Sequence, residues 1–479
     1  MRMPRTSLLA VLVAAALAGP VAAQAPAALT PERQLAHDVY KELIEINTSN
    51  SVGDNTAAAN AMAKRLIDAG FPAADVKVLV PDNPKKGNLV ARMRGKDAAK
   101  KPILLLAHLD VVEAKKEDWS NDLDPFQFTE REGYYYGRGT SDDKAMAAIW
   151  VANLIRFKKE GFVPDRDIIL ALTADEEGGC CNGVHWLLEN HADLVNAEFG
   201  LNEGGGGELR QGKHVANKVG TAEKVYQDFT LEVTNPGGHS SVPKKDNAIY
   251  ALAAGLSKIA AFSFPAQINE TTKAYFDRMG GIEGGQTGAD MKAAAQGDQA
   301  AMARLSETPV YNSMFRTTCV ATLLAGGHAP NALPQRATAN VNCRMFPGAD
   351  PKEVQATLQR VVADTAIKIT AVDLAKPSPP SPLRAEVFGP IEKITKEMWP
   401  GTVVVPTMGT GATDGLYFRQ KGIPVYGVSG LFSELGDGRA HGRDERVSIK
   451  SFYDGQEFLY RLVKAYTGGK VAATAADAR

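Results

Sequence analysis

The sequence predicts an α/β fold: a mainly parallel sheet with helices on both faces, into which a smaller α+β domain is inserted. Three observations carry this reading. Short apolar runs such as Ile103-Leu104-Leu105-Leu106-Ala107 and Ile168-Ile169-Leu170, typical of strands buried on both faces, alternate with segments of helical periodicity. Around Val219 that pattern gives way to strands of two-residue alternation in a strand–helix–strand–strand–helix–strand order, which suggests a two-layer, ferredoxin-like unit. Beyond the Pro/Ser-rich linker from Lys376 to Pro382 the first pattern resumes.

A chain of 479 residues is too long for one hydrophobic core. The expected divisions are a signal peptide (1–23), the first part of the larger domain (24–218), the inserted domain (219–375), the second part of the larger domain (376–470) and a disordered tail (471–479). Arg2 and Arg5 precede the apolar stretch from Leu8 to Ala18 and the small residues Val21-Ala22-Ala23, the pattern of a leader cut before Gln24. The run is too short to cross a bilayer, so a periplasmic or secreted location is expected. Formal net charge is −1 and no long basic run occurs, so neither nucleic acid nor a membrane surface is expected as a partner. Cys180, Cys181, Cys319 and Cys343 show no Cys-x-x-Cys zinc pattern. An oxidising compartment permits a disulfide, but these residues read as small buried thiols.

In chain order, Leu35, Val39, Leu43 and Ile44 trace a first helix, and a second runs from about Ala58 to Ala69. Strands follow at Val76 to Val80 and Asn88 to Met93, then the central apolar run ending in His108-Leu109-Asp110. After Gly137-Arg138-Gly139-Thr140-Ser141-Asp142-Asp143, the residues Met146, Ile149, Trp150, Leu154 and Phe157 mark one face of a helix, with Ser141 or Asp142 placed to cap it. The strand from Asp165 to Thr173 ends in Asp175-Glu176-Glu177, and a short strand over 197–202 ends at Glu203. Within the smaller domain, strands at 225–233, 317–324, 337–344 and 367–372 enclose helices at 248–261 and 351–363, with helical insertions over 270–308. A helix from Ala385 to Met398, strands at 403–405 and 423–428, a loop holding His441 and a helix from Ile449 to Tyr466 complete the chain.

Three buried strands of one sheet thus end in metal-competent side chains: His108 with Asp110, Glu176 with Glu177, and Glu203. Ligands of open α/β sheets gather at the carboxyl ends of strands. His37, His185, His191 and His214 read as ordinary surface or core residues and His328 stays open, whereas His108 and His441 each follow a buried strand. Two imidazoles with several carboxylates suit Zn²⁺, with Mn²⁺ or Co²⁺ as alternatives. Neither His-Glu-x-x-His nor Gly-x-Ser-x-Gly occurs, which argues against a thermolysin-type site and a serine hydrolase.

Taken together, His108-Leu109-Asp110, Gly137-Arg138-Gly139-x-x-Asp142, Glu176-Glu177-Gly178-Gly179, Asn202-Glu203-Gly204-Gly205, Gly238-His239-Ser240-Ser241 and His441 resemble the M20 family of dizinc metallopeptidases and amidohydrolases. The resemblance implies two Zn²⁺ per subunit. His108 and Glu203 would hold one, Glu177 and His441 the other, and Asp142 would bridge them. It further implies that Asp110 orients His108, that Glu176 is the general base acting on metal-activated water, and that His239 reaches the partner subunit's site to stabilise the oxyanion. Asn331, Arg344 and Gly411 would bind the substrate carboxylate. The smaller domain would be a lid and homodimerisation domain. Departures are the long insertion near 270–308 and the Cys180-Cys181 pair, which bear on substrate identity. The expected activity is that of an exopeptidase on a small substrate with a free carboxylate, and Glu203 tilts the comparison towards the carboxypeptidase or deacylase branch. Alternatives are an N-acyl-amino-acid or other non-peptide amidohydrolase, and a non-catalytic binding protein on the same fold. The last predicts loss of a ligand or of Glu176, and none is lost.

Overall fold

In the computed structural model, which describes residues 28–178, 181–373 and 375–468, the apolar runs form the centre of one large sheet. The expected signal peptide, the tail from 471 and Cys180 lie outside the described residues. Strand Ile103–His108 pairs in parallel with Ile168–Thr173 on one side and Phe199–Asn202 on the other, and Val425–Gly427 extends the parallel set. Alternate side chains serve two cores. Ile103, Leu105 and Ala107 pack with the helices Pro31–Glu45, Asn55–Asp68, Lys144–Lys159, Ala385–Met398 and Ile449–Tyr466, while Leu104 and Leu106 pack with Gly183–Asn190 and Gly415–Gln420.

The sheet is mixed rather than mainly parallel. Asn88–Met93 joins Ile168–Thr173 antiparallel, and Gly206–Arg210 forms an antiparallel hairpin with Lys213–Glu223. That hairpin was not expected from sequence, because glycines and lysines obscure the alternation on which strand assignment depends. Its turn uses Gln211 and Gly212 at φ 53° and 74°.

Neither Ser141 nor Asp142 caps helix Lys144–Lys159, whose N-cap position is Asp143 without a side-chain cap bond. The Ser141 hydroxyl is committed to Glu445 and the Asp142 carboxylate faces two histidines. The helix is buried nearly all round, not on one face, because it lies between the sheet and the helices Pro31–Glu45 and Ile449–Tyr466. The buried Lys144 ammonium donates to Leu43 O at 2.8 Å and Ile46 O at 2.9 Å, satisfying carbonyls at the end of the first helix.

The chain leaves the large sheet at Glu223 and enters a second sheet at Val225, with Lys224 between. The expected division at 218/219 therefore falls inside strand Lys213–Glu223. No Gly or Pro stands between Thr221 and Thr234, so no turn residue marks the crossing. The smaller sheet is antiparallel, in the order Thr318–Gly326, Arg336–Met345, Val225–Thr234, Ile367–Val372. Helices Ala248–Ala261 and Pro351–Val362 cover the face formed by Phe229, Leu231, Ala339 and Val341. The insertion folds as three helices, Glu270–Glu283, Gly285–Ala295 and Gln299–Leu305, and a fourth, Pro309–Phe315, follows it. Through Phe276, Met291 and Met302 these pack on Ala216, Val405 and Met408 of the large sheet.

The thiol reading is corrected. Cys319 and Cys343 stand opposite one another on paired antiparallel strands and form a disulfide, and Cys181 is disulfide-bonded too. Strand register decides the first pairing, and register is not visible in cysteine spacing.

Candidate functional site: a histidine–carboxylate cluster at the strand ends

His108 is the last residue of the central strand and is 2% exposed. Its Nδ1 lies 2.9 Å from the backbone oxygen of Asp110. A carbonyl only accepts, so Nδ1 carries the proton of that bond and Nε2 is left facing the site. Nε2 lies 3.0 Å from Asp142 Oδ1 and 3.7 Å from Glu203 Oε1. From the opposite side, His441 Nε2 lies 3.1 Å from Asp142 Oδ2 and 2.6 Å from Glu177 Oε1. The two oxygens of Asp142 therefore each address a different imidazole.

The donor atoms of His108, Asp142 and Glu177 lie within 4.8 Å of one another, as do those of His108, Glu176 and Glu203. Lone pairs of nitrogen and oxygen facing each other at such distances require a proton or a cation between them. The residues fit divalent cations: imidazole and carboxylate donors converge there with acidic groups in excess.

The electrostatics say the same. Burial among acids pushes Glu176 up to about 9, with Asp414, Glu177 and Asp110 adding to the shift. Burial raises Glu203 well above the usual carboxylate range, and Asp142, Asp143 and Glu176 push it further. Burial would raise Asp142 as well, but hydrogen bonds to His108 and His441 hold it low. Burial pulls His108 down, yet its bond to Asp142 and the charges of Glu203, Asp142 and Asp110 lift it well above the ordinary imidazole value. His441 rises to about 9 through its bond to Asp142, with Glu177 adding to the shift. Added positive charge relieves all of the raised carboxyls at once.

Asp110 meets the cluster differently from the expected contact. Its carboxylate lies 3.7 Å from His108 Nδ1 and accepts the backbone N–H of Glu176 at 3.1 Å on Oδ1 and that of Glu177 at 2.9 Å on Oδ2. It is the Asp110 carbonyl that holds the imidazole.

Sequence reasoning missed several supporting groups. Buried Glu445 accepts from Ser141, Asp142 and Gly139 and pairs with Arg138. Asp414 accepts from Thr173 Oγ1 at 3.0 Å and Asn182 Nδ2 at 2.5 Å, and burial raises it to about 6. Lys86 pairs with Asp175. Arg138 lies within the Gly137-Arg138-Gly139 motif, but Glu445, Asp414 and Lys86 show no periodic or spacing signal.

The remaining predicted residues stand apart. His239 is exposed on the two-residue strand Gly238–His239, and its Nδ1 accepts from the Ser241 N–H at 3.2 Å. The Ser240 N–H donates to Asn331 O at 3.0 Å, which places Asn331 beside that turn. The Arg344 guanidinium lies over the Tyr226 ring, 4.7 Å from its centroid. Among the described residues, no hydrogen bond or ion pair links His239, Asn331 or Arg344 to the cluster. Gly411 does come close: it lines a cavity of about 190 Å³ together with Glu203. A larger cavity of about 590 Å³ starts at Asp143 and Glu203 and extends to Leu209, Leu431 and Leu435.

The sequence matches peptidase family M20/M25/M40 over residues 104–465. It is 31% identical over 396 residues to a probable carboxypeptidase S-like 2 of Dictyostelium discoideum, covering 79% of this chain and 74% of that protein. It is 27% identical over 384 residues to the human N-fatty-acyl-amino acid synthase/hydrolase PM20D1, covering 78% and 75%. Among solved structures, the fold is similar to the M20 family metallo-carboxypeptidase Sso-CP2 from Sulfolobus solfataricus. The TM-score is 0.69 at 17% identity, over 90% of this chain and 99% of that one.

Proposed function

The chain belongs to peptidase family M20/M25/M40 and is a metallohydrolase of amide or peptide bonds, and from that premise we propose that it cleaves small amides carrying a free carboxylate. The observation that carries this reading is Asp142, whose two oxygens are shared between His108 and His441. In this reading His108 and Glu203 would hold one divalent ion, Glu177 and His441 the second, and Asp142 would serve both. The ions, zinc with Co²⁺ or Mn²⁺ as alternatives, supply Lewis acidity and positive charge.

The protein's own groups do the rest. Glu176, at the cluster with no hydrogen-bond partner on its carboxylate among the described residues, takes a proton from the attacking water and delivers it to the leaving nitrogen. Asp110 fixes the backbone of Glu176 and Glu177 so that both carboxylates keep their aim. Arg344, Asn331 and Gly411 receive the substrate carboxylate, for which the Arg344 guanidinium offers bidentate geometry. His239 acts on the developing oxyanion from a second copy of the chain. The lid is ferredoxin-like and dimerises through strand Thr318–Gly326, a sheet edge on which Leu323 and Leu324 are 70% and 71% exposed. The N-terminal leader directs the protein to the periplasm or beyond.

One observation favours N-acyl amino acids over short peptides as substrates. The cavity starting at Glu203 lies in the size range of small-molecule sites and has the apolar side chains Leu209, Leu431 and Leu435 along its length. An apolar acyl group fits there, and the human relative is named for fatty-acyl amino acids.

The test is a substrate panel on the zinc-loaded protein, comparing N-acyl amino acids of increasing chain length with dipeptides. We expect kcat/KM to rise with acyl length and to vanish on chelation. Faster cleavage of dipeptides would overturn the acyl reading, and no turnover of any amide at full metal occupancy would overturn the amide-hydrolase reading.

A further inference from the structure

We propose that Arg138 and Glu445 are a positioning pair that locks together the two loops supplying Asp142 and His441, and so governs the affinity of one metal ion more strongly than that of the other. The proposal rests on the assignment of Asp142 and His441 as ligands.

The Glu445 side chain is wholly buried, and its two oxygens divide their work. Oε1 accepts the Ser141 N–H at 2.7 Å, the Ser141 hydroxyl at 2.9 Å and the Asp142 N–H at 3.1 Å. Oε2 accepts the Gly139 N–H at 3.0 Å and Arg138 Nη1 at 2.7 Å. Arg138 Nη2 reaches the other loop, donating to Gly442 O at 3.0 Å and His441 O at 3.4 Å. Its guanidinium lies 5.5 Å from the centre of the Trp119 ring.

The direction of these bonds is the argument. A buried ion pair is a weak device for stability alone, since apolar residues of similar volume serve as well. Here nearly every bond goes to the backbone of a segment that presents a candidate ligand. Glu445 takes the Asp142 amide itself, and Arg138 takes the His441 carbonyl, across 303 sequence positions in each case. The His441 segment also needs restraint: His441 sits at φ 62°, a left-handed conformation that costs a residue other than glycine.

The two ions depend unequally on this pair. His108 is fixed by its own strand and by the Asp110 carbonyl. His441 has no strand beneath it and is 54% exposed at its side chain. Loosening the pair therefore weakens the ion held by His441 and Glu177 before the one held by His108 and Glu203. Asp142 is common to both.

The test uses the full chain with Arg138→Lys, Glu445→Gln and a control, Arg92→Lys, which alters the ion pair with Asp167 in the same sheet. Lysine keeps the charge but offers its donors from one atom. Glutamine turns one acceptor oxygen into a donor facing N–H groups. Zn²⁺ affinity at each site is read by competition with a chromophoric chelator, alongside Tm of the metal-free protein and the Co²⁺ absorption spectrum. We expect each of the two variants to weaken one site at least about ten-fold and the other distinctly less, and to alter the Co²⁺ spectrum. Arg92→Lys should change only Tm. Wild-type affinity at both sites in Arg138→Lys overturns the proposal, and so does equal weakening of both sites that tracks Tm. Should Glu445→Gln fail to fold, Arg138→Lys decides alone. A wild-type protein that binds no ion overturns the ligand assignment, and the pair's role with it.

Discussion

Lys86 donates to Asp175 Oδ1 at 2.5 Å, an ion pair in which both side chains are almost wholly buried. This contact separates three consecutive acids that look equivalent in sequence. Asp175, at φ 64°, turns the chain, accepts the Cys181 N–H at 2.6 Å and has its charge matched by lysine. Glu176 and Glu177 follow on the far side of the turn with their amides held by Asp110 and their carboxylates left for the cluster. Removing one partner of a buried pair leaves the other uncompensated, at a cost of about 3–5 kcal/mol. Lys86→Met should therefore lower the urea midpoint sharply, whereas Lys86→Met with Asp175→Asn should recover part of the loss.

Glu176→Gln keeps the shape of the side chain and removes the proton carrier. We expect kcat to fall by roughly two to four orders of magnitude while metal content per chain stays at the wild-type level. Metal analysis and single-turnover kinetics on one preparation check both halves. Full activity with both ions bound would be incompatible with the proton-transfer role.

Asp110→Asn tests how the glutamates are held. Glu176 and Glu177 donate to different oxygens of Asp110, and an amide offers only one acceptor. One backbone N–H is then opposed by an NH₂ group. Activity should fall roughly 10–100-fold, the range for loss of a group that orients metal ligands. His108 should keep its tautomer, since its Nδ1 bond goes to a backbone carbonyl; the imidazole ¹⁵N shifts report this.

Lys224, at the crossing between the two sheets, provides a pH test. Burial lowers its pKa to about 7, and the Arg344 charge adds to the effect. The unfolded chain keeps the proton up to the ordinary lysine value near 10.4, so between the two values it binds more protons than the folded state. Stability from this group must then rise with pH across that window and be flat below it. Lys224→Met should remove that slope and stabilise most near neutral pH or below, by an amount on the order of a few kcal/mol. Unfolding midpoints of both proteins from pH 6 to 9.5 check the sign.

The Cys319–Cys343 disulfide closes a loop across a sequence separation of 24. Chain-entropy reasoning gives about 3 kcal/mol for a loop of that size. Cys343→Ser should lower the thermal midpoint of the smaller domain, and dithiothreitol should shift the wild type in the same direction.

Much of the candidate site was legible because its residues obey a local rule. His108, Glu176, Glu177 and Glu203 each follow an apolar run that had to be a buried strand, and such strands end on the same side of a parallel core. Helices Ala248–Ala261, Ala385–Met398 and Ile449–Tyr466 were also placed correctly, since an amphipathic stripe is written in consecutive residues. Illegibility had local causes too. The Gly206–Arg210 strand is poor in side chains that alternate, and the boundary at Lys224 carries no Gly or Pro to mark it.

By itself, then, the sequence determined the central buried strands and the longer helices, which residues stand at those strand ends, and the family to which the chain belongs. Only the tertiary structure decided which acid is neutralised, by Lys86 from 89 positions away, and which oxygen of Asp142 faces which histidine. It also decided that Glu445 and Arg138 support the ligands, and that Cys319 faces Cys343. Hydropathy and turn chemistry act between neighbours and leave a period in the chain. The partner of a buried charge or thiol is chosen by sheet order and register, which leave no trace in local spacing.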